Sequence, residues 1–190
     1  MASKPAEVEV EAGPGAGVEV ELGERALLAI RDVLQLGGDV IVTSENAHRR
    51  LWGEALGLCG YSQYDEVGKP DAVATRKLGM EGDGLTLHVR DASGIRLVSS
   101  SYYRFAAGGG QIGLVAVLSV PEPERGRPDK HREAEPMGGW NIHVVGVAHL
   151  KSGLSAAKEE VRRDQLREFC RYIKQVMGEH RARAGFIVGD

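Results

Sequence analysis

Apolar runs too short for helices recur along this chain, and two helical stretches and one much longer one separate them. Val40-Ile41-Val42-Thr43, Leu85 to Val89, Arg96 to Ser99, Ile112 to Val120, Ile142 to Ala148 and Phe186-Ile187-Val188 each read as strands, most of them buried on both faces. Leu27, Ile30, Val33 and Leu34 lie near one face of a helix over Arg25 to Leu36, which Gly37-Gly38 ends. A second helix opens at Ser44-Glu45-Asn46, with Leu51, Ala55, Leu56 and Leu58 as its apolar positions. The longest starts at Ser155 and presents Val161, Leu166, Phe169, Ile173 and Met177. Helices alternating with buried strands give an α/β fold with packed sheets.

Between these elements the chain changes character. Residues Ser62 to Asp83 are polar and read as a long loop. Asp91-Ala92-Ser93-Gly94 has the composition of a hairpin turn between its flanking strands. Residues 121–139, rich in Pro, Glu, Arg and Gly, read as a mobile surface insertion. Residues 1–22 place Val8-Glu9-Val10-Glu11 and Val18-Glu19-Val20-Glu21 around Gly13-Pro14-Gly15, which suits either a first hairpin or an acidic leader. The remainder, 23–190, forms one domain, a size at which a single core can be sizeable.

The formal charge of -3 excludes a global basic field for nucleic acid, so any phosphate-binding surface has to be local. His180-Arg181-Ala182-Arg183 is one such local cluster, or a solvated helix end. Cys59 and Cys170 form no metal-binding spacing and read as free, buried thiols. No apolar run approaches membrane-spanning length, and the start has no signal-peptide pattern; the expected location is cytoplasmic or nuclear.

Three polar residues stand at the ends of apolar strands: Glu45, His149 and Asp190. Strand ends are where α/β folds gather their sites. Two carboxylates and a histidine converging there suit a hard cation and a phosphate-facing donor.

Several blocks carry a resemblance. Ala148-His149-Leu150-Lys151, then Arg162 and Gln165, then Gly189-Asp190 resemble the "THLK", "R-x-x-Q" and "GDFN" blocks of the endonuclease/exonuclease/phosphatase superfamily, in its nocturnin-like deadenylase branch. Upstream, Asp39 to Glu45 resembles "PDILCLQE", Gly60-Tyr61 with Lys69-Pro70 resembles "GY…KP", and Asp83-Gly84-Leu85-Thr86-Leu87 with Ile95-Arg96-Leu97-Val98 resembles "DGCALF…F-x-L-V". The likeness runs in order from about Arg25 to Asp190.

The resemblance implies part of a four-layer α/β-sandwich, two packed mixed sheets flanked by helices, incomplete at its C-terminal side. It implies Glu45 as the carboxylate ligand of Mg²⁺ or Mn²⁺, His149 as a hydrogen-bond donor to phosphate, and Asp190 as the group that orients or deprotonates the attacking water. Lys69 and Lys151 become point-charge contacts to substrate phosphate. Asp83 holds a loop, and Tyr61 is packing. The implied substrates are an RNA 3′ end or a phosphorylated nucleotide, and an uncovered sheet implies self-association.

The departures are specific. No asparagine precedes Asn46, where the family has one on a first strand; Glu21 is the residue available for that place. Gly153 replaces an expected arginine, and Thr43-Ser44 replaces Leu-Gln. The family's late Ser-Asp-His block would lie beyond Asp190. The alternative function is therefore an inactive fragment or a binding or scaffold relative on the same fold. A further alternative is a plain α/β domain whose blocks match by chance.

Overall fold

The computed structural model describes residues 16–44, 48–68, 84–107, 111–122, 140–150 and 153–189, with backbone only for 16–23. The elements run α1 (Ala16–Leu36), β1 (Val40–Thr43), α2 (Arg49–Leu58), β2 (Tyr61–Gly68), β3 (Gly84–Arg90), β4 (Arg96–Arg104), β5 (Ile112–Pro121), β6 (Trp140–Ala148), α3 (Ala156–His180) and β7 (Ala184–Gly189). They build four layers. Helices α1 and α2 cover a three-stranded sheet of order β1-β3-β2. That sheet packs on a four-stranded sheet of order β4-β5-β6-β7, which α3 covers. The first sheet is antiparallel throughout; the second is mixed, because β6 and β7 are parallel.

Side-chain alternation makes the layers. On β3, Leu85 and Leu87 are fully buried toward β5, where Leu114, Ala116 and Leu118 meet them. The opposite face, with Ile41 of β1 and Tyr61 of β2, packs under Ile30 of α1 and Leu56 of α2. Each fully buried leucine contributes roughly 1.5–3 kcal/mol. Beyond the second sheet, Val115, Val117 and Val144 pack against Phe169, Ile173 and Val176 of α3.

Helix α3 lies close to its sheet because two strand glycines make room. A Cβ on Gly113 would stand 2.7 Å from the Phe169 ring, and one on Gly146 would run into Ile173 and Phe169. Ser155 caps the helix by accepting a hydrogen bond from the Lys158 amide at 3.4 Å, and Arg181 in the left-handed region (φ 52°) ends it.

Several expectations change. Val18 to Glu21 is part of α1, not of a hairpin, so the boundary at residue 22 falls inside a helix and Glu21 is not at a strand end. Its Val-Glu alternation suits a strand locally, but the apolar Ile30, Val33 and Leu34 downstream carry a helix that extends back through it. Residues 1–15 lie outside the described residues, as does most of the insertion. Ser62 to Gly68, expected as the start of a loop, belongs to strand β2, because pairing with β3 overrides its polarity. The turn at Asp91–Ser93, with Gly94 at φ 72°, joins no hairpin: β3 and β4 belong to different sheets, so this turn crosses between layers. On α3, Leu166 is 41% exposed, and Gln165, Phe169, Ile173 and Val176 form the buried face. Cys59 is exposed and Cys170 half-buried, both free. Strand β7 forms one edge of its sheet and leaves Phe186 52% exposed.

The glycine notches give a paired test. Gly146→Ala should lower the unfolding free energy by about 1–3 kcal/mol through overpacking against Phe169 and Ile173. Gly178→Ala, in α3 with open space at its Cβ, should raise it by about 0.5–1 kcal/mol through helix propensity. Urea midpoints for the two variants should move in opposite directions.

Candidate functional site

Strand register decides which ends of the sandwich meet. In the second sheet, Ala148 of β6 lies beside Gly189 of β7 and opposite Gly113 of β5, while Arg104 of β4 lies opposite Ile112. The C-terminal ends of β4, β6 and β7 and the start of β5 thus share one end. In the first sheet, Thr43 lies opposite Thr86, and Gly68 opposite Gly84, so β1 and β2 finish together where β3 begins.

Two tyrosines relate these ends. The Tyr64 hydroxyl donates to the Ile95 carbonyl at 2.7 Å, before the start of β4. The Tyr102 hydroxyl, near the end of β4, donates to Asp65 Oδ1 at 2.6 Å and to the Glu66 carbonyl at 3.2 Å. Advancing along β2 therefore advances along β4. The closing ends of β1 and β2 lie at the same end of the sandwich as those of β6 and β7. The hydrogen bond to Asp65, with burial adding to it, pushes the Tyr102 phenol up to about 12, so the donor keeps its proton at neutral pH.

His149 follows β6 at this end. It is 5% exposed, and its backbone amide donates to the Ile112 carbonyl at 3.1 Å. Gly189 closes β7 with φ 141°; a Cβ there would collide with the Ala148 carbonyl, so glycine permits the close pairing of β6 and β7. Glu45, Lys69, Lys151 and Asp190 lie outside the described residues. The strands that lead into Glu45, Lys69 and Asp190, namely β1, β2 and β7, all finish at this end.

The Arg-x-x-Gln block on α3 is structural support. Arg162 donates to the Gly153 carbonyl at 2.6 Å and pairs with Glu159, tying down the connection that follows His149. Gln165 is fully buried and its side-chain amide donates to the Ala107 carbonyl at 2.8 Å, fixing the segment after β4. Tyr61 is buried, as expected, and its hydroxyl donates to the Gly38 carbonyl at 2.7 Å. The cluster at Arg183 is engaged: its guanidinium meets Asn141 at 3.1 Å and Glu122 at 3.8 Å, at the opposite end of the sheet.

A polar cluster under β1 was not anticipated. Thr43 Oγ1 and Thr86 Oγ1 are 2.6 Å apart, and His88 Nε2 stands 3.0 Å from Thr86 Oγ1. All three occupy the helix-facing side of the first sheet, and His88 and Thr86 are fully buried. Nδ1 of His88 has no hydrogen-bond partner among the described residues. Each of the three is ordinary in a strand, and the register of β1 with β3 is what brings them together. Among the described residues, no three His, Cys, Asp or Glu side chains stand together as a metal-binding group.

Comparison with known structures follows this geometry. The human nocturnin catalytic domain, solved with a bound sulfate anion, superposes with a TM-score of 0.66 at 19% identity over 88% of this chain. A humanized D. rerio TDP2 gives 0.59 at 15% identity over 92%. D. rerio TDP2 in complex with a single strand DNA product gives 0.56 at 15% identity over 88%. This chain shares its fold with these three structures. This chain spans 56%, 62% and 52% of those three structures. No family model matches the chain, and no curated protein matches it by sequence. No described helix is long and apolar enough to cross a membrane.

Burial holds the His88 imidazole down at about 4, from an ordinary value of 6.5. The depressed value means the unfolded chain binds the proton more readily. Protonation of His88 therefore takes nothing from stability above about 6.5, and stability is lost as pH falls from there toward 4, by as much as about 3 kcal/mol. Urea unfolding at neutral and acid pH should show this loss in the parent chain, and His88→Phe should flatten that part of the profile.

Proposed function

We propose that this chain carries strand-end residues of a divalent-metal-dependent phosphodiester hydrolase acting on an RNA 3′ end or a phosphorylated nucleotide. The observation that supports it best is that β1, β2, β6 and β7 finish at one end of the sandwich, with Glu45, Lys69, His149 and Asp190 in the chain just beyond them. The solved structures that share the fold add to this: one holds sulfate, a phosphate-like anion, and another a single strand DNA product.

The donor set just past these strands fits a hard cation. Glu45 and Asp190 offer carboxylate oxygens, whereas the thiols are placed elsewhere, Cys59 at the far end before β2 and Cys170 within α3. Glu45 would hold the Mg²⁺ or Mn²⁺ ion. When bound, such an ion supplies positive charge to the phosphate oxygens.

The chain's own residues do the rest. The imidazole of His149 donates a hydrogen bond to a phosphate oxygen, and its backbone is already anchored on Ile112, so little reorganisation is needed. Asp190 orients the attacking water and accepts its proton. Lys69 and Lys151 place point charges against the substrate phosphates.

The test is Mg²⁺- or Mn²⁺-dependent hydrolysis of a short poly(A) RNA and of NADP⁺. Glu45→Ala and His149→Ala should each lower the rate by about a hundredfold or more. Equal rates in the parent chain and Glu45→Ala, on folded protein, would defeat this assignment.

A further inference from the structure

The outer face of α3 carries a basic trough that the strand-end site does not use. Arg163, Leu166, Arg167, Cys170, Arg171 and Lys174 line an open depression of about 520 Å³. Four of the six are cations, and none is an acid. Their spacing of four, four and three residues puts them along one side of the helix, over about 16 Å.

Glu159, Glu168 and Glu179 of α3 have partners away from the trough, and Asp164 does not. Glu159 pairs with Arg162. Glu168 turns toward β4, accepting from the Tyr103 hydroxyl at 2.7 Å and the Ala106 amide at 3.1 Å. Glu179 accepts from Gln175 at 2.9 Å. Asp164 pairs with Arg167 at 3.0 Å, but both side chains are mostly exposed, so the pair is weak and exchangeable. Glu160 stands in the second turn of the helix, three residues before Arg163. Arg163, Arg171 and Lys174 pair with no carboxylate among the described residues.

The trough also has a direction. Helix α3 begins seven residues after His149 and then runs back along the sheet, so Arg163 lies nearer the strand-end site and Lys174 farther from it. In a chain with a net charge of -3, this is a local concentration of cations leading away from that site.

We infer that the outer face of α3 binds the sugar-phosphate backbone of a single-stranded nucleic acid whose end lies at the strand-end site. The inference rests on the hydrolase reading for the position of that end. Charge complementarity selects a polyanion, and the linear run of cations suits a strand rather than a compact nucleotide. The trough holds no aromatic ring on which bases could stack, so binding is electrostatic and indifferent to base identity.

The test is fluorescence anisotropy of labelled single-stranded oligonucleotides in EDTA, across a salt series, with the full chain. The variant Arg163→Gln/Arg171→Gln/Lys174→Gln should bind at least about tenfold more weakly. Its log-log salt slope should fall by about 2, that is three contacts at about 0.7 each. Circular dichroism reports whether the variant keeps its helix. Unchanged affinity and slope in a folded variant would overturn the inference, as would a strong preference for one base. Polyglutamate is the competitor: if it binds as tightly as the oligonucleotide and loses affinity equally in the variant, the face serves an acidic protein and the inference fails. Binding in EDTA involves no chemistry. A chain that binds strands through α3 without hydrolysing anything defeats only the hydrolase reading; one that hydrolyses with binding indifferent to α3 defeats only this one.

Discussion

The packing of β3 against β5 carries the architecture. Leu85 and Leu87 meet Leu114, Ala116 and Leu118 in a dry layer between sheets, and this apolar contact is non-directional. Direction comes from two hydroxyls, Tyr64 on Ile95 and Tyr102 on Asp65 and Glu66. Together they set β2 and β4 running the same way, and strand register carries that choice to β1, β6 and β7. Everything proposed for the site depends on this relation.

Much of the fold was legible because burial leaves a periodic trace. The β-branched runs at Val40 to Thr43 and Ile142 to Ala148 are strands, and the long helix after Ser155 is capped where its sequence suggested. The errors have physical causes. Ser62 to Gly68 looks like a loop because its pairing with β3 leaves no apolar alternation to read. Asp91 to Gly94 has turn chemistry, but turn chemistry does not say which sheet the next strand joins. In the apolar stripe of α3, Phe169 and Ile173 are buried as the sequence suggests, but Leu166 is not: its neighbour Gln165 is, and a buried glutamine bonded to a carbonyl looks polar in a sequence.

The site was legible only as a set of strand ends. His149 follows the end of β6 and is buried beside the start of β5. The Thr43, Thr86 and His88 cluster went unread because each residue alone is ordinary in a strand; only register brings them together. A buried imidazole with one ring nitrogen unpartnered among the described residues carries a desolvation cost. Helix α3 serves two faces at once: Phe169 and Ile173 fill glycine notches inside, while cations gather outside.

The central claim is that β1, β2, β6 and β7 present one metal-binding end. Paramagnetic broadening of backbone amide signals on titration with Mn²⁺ tests it most directly. The account predicts selective broadening at Thr43, Gly84, His149 and Gly189, with Gly60, Arg90, Trp140 and Ala184 at the other end unaffected, and loss of the effect in Glu45→Ala. Broadening centred on the far end, or spread evenly over both, would contradict it.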